Sequence, residues 1–134
     1  LLSGTAGLED RHARTARCAE DDGLARRMEA IGVSAFVDEW LARPMFAHLD
    51  PGTARADDRR VHGVAGLAAA LRALGTGAQP DLWPSLAAVA APTLIVAGAR
   101  DDKFVEIARR MGAAIPHARY EILAGLGHAL ALEA

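Results

Sequence analysis

Hydrophobic residues in the first part of the chain recur at helical spacing and are separated by charged and small residues. Leu24, Met28 and Ile31 share one face of a charged, alanine-rich stretch, which predicts one long or two short amphipathic helices. Gly32 is expected to end this helical stretch, and Ser34 has the side chain of an N-cap for the next helix.

The helical pattern continues as far as residue 74. Four apolar residues share the next helical face, which Pro44 is expected to end: Phe36, Val37, Trp40 and Leu41. Asp50 and Pro51 predict the N-cap and first turn of a further helix that runs to Leu74. A short helical turn is expected over residues 83–89.

The last part of the chain has a different pattern. The β-branched run "APTLIVAGA" predicts a buried strand, and the segment "ARYEIL" predicts a second strand. The amphipathic stretch "KFVEIARRMGAAI" between them predicts a helix, and "AGLGHAL" a glycine-bearing loop that enters another helix. Residues 91–134 are therefore expected to form strand, helix, strand and helix, which is an α/β unit with parallel strands.

An acid and a histidine follow the two predicted strands. Asp101 comes just after the first strand and His128 just after the second. Since functional groups gather at the carboxyl ends of parallel strands, the two side chains are expected at one sheet edge, where the acid would orient the imidazole. The alternative is that Asp101 caps the following helix and His128 is a surface histidine. Asp102 is the alternate acid, although its position suits helix capping better.

A nucleophile is not evident. The serines of the chain are Ser3, Ser34 and Ser85, and none lies in the G-x-S-x-G pattern of a nucleophile elbow. If the acid and the histidine belong to a triad, we expect its serine to lie upstream of Leu1.

Composition narrows the function classes. The net charge of −2 gives no reason to expect nucleic acid or an anionic membrane as partner. Cys18 is the only cysteine, so no internal disulfide can form, and a reducing, cytoplasmic location is expected. No apolar run approaches the roughly 20 residues of a transmembrane helix.

Five segments together carry a family resemblance: "SGTAGLED", "AFVDEWLARPMFA", "GLAAALRALGTGAQPDLW", "PTLIVAGARDDKF" and "GLGHALALE". They resemble the C-terminal half of 2-succinyl-6-hydroxy-2,4-cyclohexadiene-1-carboxylate synthase, an enzyme family of menaquinone biosynthesis with the α/β-hydrolase fold. The resemblance implies an α/β fold, namely the C-terminal part of a parallel sheet with a helical cap. Residues 1–8 would end a core strand, 9–75 form the cap, and 76–134 form the C-terminal core segment.

The resemblance also implies an activity. Enzymes of this family are carbon–oxygen lyases that remove pyruvate from a carboxylated cyclohexene, with a Ser-His-Asp triad and without a cofactor or metal. Asp101 and His128 match the acid and the histidine of that triad. The implied partner is a small polycarboxylate, and the isolated 134 residues are expected to be inactive without the serine.

Four further residues match substrate-binding positions of the family. Arg17 and Arg59 match arginines that bind substrate carboxylates, and Arg60 replaces Arg59 if the register slips by one residue. Trp40 and Phe46 match apolar positions that wall the ring-binding pocket. Taken alone, the arginines would belong to a solvated helix face and the aromatic residues to ordinary packing.

Two other functions remain open at this point. The protein could be a related α/β-hydrolase, such as an esterase or a C–C bond hydrolase. Alternatively, the chain could be a non-catalytic fragment that binds a ligand or packs against a partner. The sequence does not predict an oligomeric state.

Overall fold

A computed structural model describes all 134 residues. In chain order the elements are α1 (Arg11–Leu41), a 3-10 turn (Pro44–Phe46), α2 (Ala56–Arg60), α3 (Val64–Leu74), a second 3-10 turn (Trp83–Ala88), β1 (Thr93–Gly98), α4 (Asp102–Ala114), β2 (Ala118–Leu123) and α5 (Leu130–Glu133). They form two compact units: a helical unit of Gly7–Ala42 and Arg55–Asp81, and an α/β unit of Leu1–Ala6, Arg43–Ala54 and Leu82–Ala134. None of the helices combines the length and the hydropathy that crossing a membrane requires.

Helix α1 is capped at its start and kinked near its end. The Asp10 carboxylate accepts a hydrogen bond of 2.7 Å from the Ala13 amide, as an N-cap does. Gly32, with φ 80° and ψ 163°, interrupts the helical dihedral angles at the predicted position. That conformation is accessible essentially to glycine alone, which explains the kink. Two helices therefore meet at this kink, and Ser34 lies within the second one and not at its N-cap position, because Gly32 is the residue with non-helical dihedral angles.

The core of the helical unit lies on the predicted faces of α1. Buried α1 side chains pack together with partly buried residues of the same helix and of α3, among them Leu67 and Leu71. The buried α1 residues are Met28, Val33, Phe36 and Val37. Arg72 of α3 adds polar links to α1, with Nε 2.8 Å from Asp22 Oδ1 and a bidentate pair to Glu29 at 2.7 and 3.0 Å. The two helices are thus joined by an apolar face and an exposed ion-pair network.

The prediction of one helix from Asp50 to Leu74 is wrong. The Asp50 carboxylate accepts a hydrogen bond of 2.8 Å from the Gly52 amide, and this turn ends before α2. Arg55 has φ 51°, a left-handed conformation that a continuous helix does not permit. Gly63 is extended at the start of α3. The helical spacing of apolar residues therefore spans two separate helices and a turn.

The α/β unit is built on two parallel strands. β1 pairs with β2 in a register that runs from Thr93 opposite Ala118 to Gly98 opposite Leu123. Leu2 lies in the apolar segment at the start of the chain and forms a single parallel bridge with Val96. The core comprises buried residues of β1 and α4 together with other segments: Ala6, Leu86, Ile95, Ala97, Val105, Ala108, Met111 and Ile115. Since the strands are parallel, their carboxyl ends meet at one edge, and the loops that follow them are neighbours.

Candidate active site

Asp101 is fixed by the start of α4. Three residues after the end of β1, its amide donates to the Gly98 carbonyl at 3.1 Å. Asp101 is also the N-cap of α4, and its Oδ1 accepts from the Phe104 amide at 3.4 Å. The carboxylate is therefore oriented by its own helix, with Oδ2 left for another donor.

His128 is carried by the loop between β2 and α5. Gly125 in this loop has φ +79°, a left-handed turn that suits glycine. The loop passes so close to the end of β1 that a Cβ atom on Gly98 would lie under 3.0 Å from the Leu126 and Gly127 carbonyl oxygens. The Arg100 amide donates to the Leu126 carbonyl at 2.9 Å. The glycine at 98 thus permits the approach that brings the histidine loop to the Asp101 side of the sheet.

The structure brings the two predicted side chains into contact. His128 Nδ1 lies 2.7 Å from Asp101 Oδ2, and the side chains are 22% and 16% exposed. With the carboxylate ionised, Nδ1 carries the hydrogen and donates it, which leaves Nε2 as a neutral proton acceptor. The Phe104 ring packs against the imidazole with centroids 4.7 Å apart. This arrangement can accept a proton at Nε2 and stabilise the imidazolium that results.

Capping and pairing with His128, which the sequence offered as alternatives for Asp101, occur together: one carboxylate oxygen caps α4 and the other meets His128. The catalytic role of the pair stays a prediction. Asp102 is the first residue of α4 and is exposed, so its expected role as the helix cap is wrong. The cap is Asp101 because only that residue has the non-helical dihedral angles, φ −116° and ψ 75°, that precede the first turn.

The helical unit contains a cavity of about 450 Å³, within the size range of small-molecule sites. Arg17 and Arg59 both line it, as do Asp21 and His62. The rest of the lining is mostly apolar and comes from α1 and α3: Met28, Phe36, Val37, Trp40, Leu67, Ala70, Leu71 and Leu74. The cavity therefore offers guanidinium groups within an apolar wall, which suits an organic anion.

Asp21 orients Arg17, a relation that the sequence analysis missed. Arg17 Nε donates to Asp21 Oδ1 at 2.9 Å, and Asp21 is only 2% exposed. A Cβ atom on Gly75 would lie 2.8 Å from the Asp21 carboxyl carbon, so the glycine makes room for this buried acid. The spacing of four residues on one helix is the signal that could have indicated the pair.

Arg60 is engaged by acids of its own unit. It donates to Asp57 at 2.7 Å and to Asp38 at 2.5 Å, and these hydrogen bonds, that of Asp57 first, raise the pKa of its guanidinium above the usual value. Of the two alternatives, Arg59 is the one that lines the cavity. Trp40 also lines the cavity, whereas Phe46 lies in a 3-10 turn of the α/β unit. The roles of these residues in binding stay predictions.

No group of three or more histidine, cysteine, aspartate or glutamate side chains in the chain is arranged to hold a metal ion.

Relatives of the chain were found by sequence, although not by a family model. No family model matches the chain. It is 33% identical over 114 residues to the 2-succinyl-6-hydroxy-2,4-cyclohexadiene-1-carboxylate synthase of Serratia proteamaculans, covering 84% of the chain and 45% of the relative. It is 36% identical over 115 residues to Protein PHYLLO, chloroplastic, of Arabidopsis thaliana, covering 83% of the chain and 7% of that protein.

A solved structure agrees with the sequence relatives. The structure of MenH from S. aureus matches with a TM-score of 0.95 and 33% identity, over 99% of this chain and 52% of that one. The chain thus spans about half the length of the proteins that it matches, the much longer plant protein apart. The chain therefore belongs to the 2-succinyl-6-hydroxy-2,4-cyclohexadiene-1-carboxylate synthase family, and it has the fold of the C-terminal part of an α/β-hydrolase.

Proposed function

We propose that residues 1–134 form the C-terminal portion of a lyase. It would eliminate pyruvate from 2-succinyl-5-enolpyruvyl-6-hydroxy-3-cyclohexene-1-carboxylate to give 2-succinyl-6-hydroxy-2,4-cyclohexadiene-1-carboxylate. The observation that carries the proposal is the 2.7 Å contact between His128 and Asp101, in a chain whose relatives bear the name of this synthase. Cytoplasmic location and a small polycarboxylate as the partner, without nucleic acid or membrane, are part of the same proposal.

The dyad supplies the base of this reaction. Asp101 holds the Nδ1–H of His128, so Nε2 takes the proton of a serine hydroxyl supplied by a segment that precedes Leu1. The serine oxygen removes a proton from a ring carbon of the substrate. The electron pair of the C–H bond at C2 forms a C2–C3 double bond, the pair of the existing C3–C4 double bond moves to C4–C5, and the C–O bond from C5 to the enolpyruvyl group breaks. The departing enolate takes up the proton held by His128 and leaves as pyruvate, which returns the imidazole to its neutral form.

The carboxylates of the substrate would bind in the cavity of the helical unit. Arg17 and Arg59 present guanidinium groups, which stay charged and bind carboxylates bidentately. Because Asp21 holds Nε of Arg17, the terminal nitrogens of that guanidinium keep a fixed direction. The apolar lining, with Trp40 as its largest side chain, would pack against the carbon ring.

The test is pyruvate release by the intact protein, coupled to lactate dehydrogenase and NADH oxidation. His128→Ala should lower kcat by a factor on the order of 10² to 10⁴, because the base and the orientation of the serine proton are lost together. His117→Ala is the matched control, since His117 is an exposed histidine of the same unit, and it should leave kcat unchanged. Full pyruvate release by His128→Ala would refute the proposal.

The same preparation distinguishes the other functions. A related esterase would hydrolyse aryl esters rapidly, and Arg17→Ala or Arg59→Ala would not affect that rate. A protein without either activity would be the non-catalytic alternative. Fast ester hydrolysis without pyruvate release, or no turnover of either substrate, would each contradict the lyase proposal.

A further inference from the structure

We propose that Glu133 is a positioning residue for His128. Its carboxylate accepts hydrogen bonds from the backbone amides on both sides of the histidine and so sets the orientation of the imidazole. The consequence for turnover rests on the lyase function proposed above, whereas the consequence for the His128–Asp101 hydrogen bond does not depend on it.

The two oxygens of Glu133 each accept one hydrogen bond. Oε2 accepts from the Gly127 amide at 2.5 Å, and Oε1 accepts from the Ala129 amide at 2.9 Å. These are the residues immediately before and after His128. Both bonds use the ionised carboxylate as an acceptor and are therefore charge-assisted, the stronger class of hydrogen bond.

Glu133 is itself held in place by the short helix that the loop enters. Its amide donates to the Ala129 carbonyl at 3.1 Å, while its side chain reaches back to the Ala129 amide. The carboxylate that reaches back to the N-cap amide is one half of a capping box, and here it also accepts from a second amide, that of Gly127. A Cβ atom on Gly127 would lie 3.1 Å from both carboxylate oxygens, so the absent side chain leaves room for the carboxylate.

The histidine loop is consequently held from two sides. On one side the end of β1 contacts it, through the Arg100 amide on the Leu126 carbonyl and the close approach of Gly98. On the other side Glu133 fixes the two amides that flank His128. Without the carboxylate, both amides lose their acceptor in a partly buried loop, and the peptide planes next to His128 can rotate. Rotation there would separate Nδ1 from Asp101.

The test uses Glu133→Ala and Glu133→Gln in the intact protein, with Glu106→Ala, an exposed glutamate of α4, as the matched control. NMR of 15N-labelled protein follows the Nδ1–H resonance of His128, assigned by its loss in Asp101→Asn. We expect Glu133→Ala to weaken or abolish that resonance. Glu133→Gln should retain more of it, because the amide keeps one acceptor oxygen of the two. Glu106→Ala should leave it unchanged.

Kinetics provide the second measurement. We expect Glu133→Ala to lower kcat for pyruvate release by a factor on the order of 10 to 100, with KM nearly unchanged, because the imidazole is misplaced while the anion-binding arginines are intact. Glu133→Gln should recover part of the loss. Retention of the wild-type Nδ1–H resonance in Glu133→Ala would overturn the inference, even if the variant is less stable, because Glu133 would then only cap α5. If pyruvate is not released by the wild type but the resonance still depends on Glu133, the lyase proposal fails and the positioning role stands.

Discussion

Substitution of Gly98 by alanine tests whether the close approach of the histidine loop to β1 sets the dyad geometry. A Cβ atom at this position would lie 2.7 Å from the Leu126 carbonyl carbon and closer still to two carbonyl oxygens. Ordinary carbon–carbon contacts lie at about 3.5–4.0 Å, so the loop backbone has to retreat by about 1 Å. The three nearest atoms are all backbone atoms, so the contact cannot be relieved by the movement of a flexible side chain.

The magnitude follows from that displacement. A misplacement of about 1 Å costs on the order of 100-fold in rate when it separates groups that must align, so kcat for pyruvate release should fall to about that extent. Overpacking should also lower the free energy of unfolding by about 1–3 kcal/mol. Coupled pyruvate assays and urea unfolding of the intact protein measure the two effects, and the His128 Nδ1–H resonance reports the geometry directly.

Gly66→Ala is the matched control for this experiment. Gly66 lies in α3, where an added Cβ atom meets no other group within 4 Å, so alanine should stabilise the helix by about 0.5–1 kcal/mol and leave kcat unchanged. If Gly98→Ala keeps wild-type kcat and the wild-type Nδ1–H resonance, the close approach does not determine the dyad geometry, and the reasoning is refuted.

Two further predictions concern the helical unit. Arg17→Ala should raise KM for the anionic substrate by a factor on the order of 10, as steady-state kinetics would show; an unchanged KM would remove Arg17 from the binding role. Arg72→Met should lower stability at pH 7, because hydrogen bonds from Arg72 hold the pKa values of Asp22 and Glu29 below their ordinary values of 3.8 and 4.5. Such a contribution is present above the ordinary pKa and is lost as the pH falls through the lowered values, so urea unfolding of the wild type and the variant should converge as the solution is acidified below pH 4. A gap between them that persists at pH 2 would contradict this origin.

The sequence indicated much of the α/β unit because its signals are local. The apolar run before residue 99 predicts a buried strand and the segment around residue 120 a second strand, and parallel strands have their carboxyl ends at one edge. The meeting of Asp101 and His128 follows from that topology. The buried faces of α1 could be predicted equally well, because the 3.6-residue period places its apolar positions together.

Other features depend on contacts between distant segments and could not be derived in this way. The break at Arg55 requires a left-handed residue that the helical pattern conceals. The need for glycine at 98 arises only when the Leu126 carbonyl is placed against it, and the role of Asp21 needs the space left by Gly75. The double use of the Asp101 carboxylate was missed because capping and pairing with His128 were treated as alternatives.

Asp101 is proposed to act through His128 as part of a catalytic dyad. The most direct measurement is kcat/KM for pyruvate release by the intact protein carrying Asp101→Asn, beside the same change at the neighbouring acid, Asp102→Asn. We expect a loss on the order of 10² to 10⁴ for Asp101→Asn, because an asparagine cannot stabilise the imidazolium or secure its tautomer, and no loss for Asp102→Asn, since Asp102 is exposed. Equal activity in the two variants would contradict it.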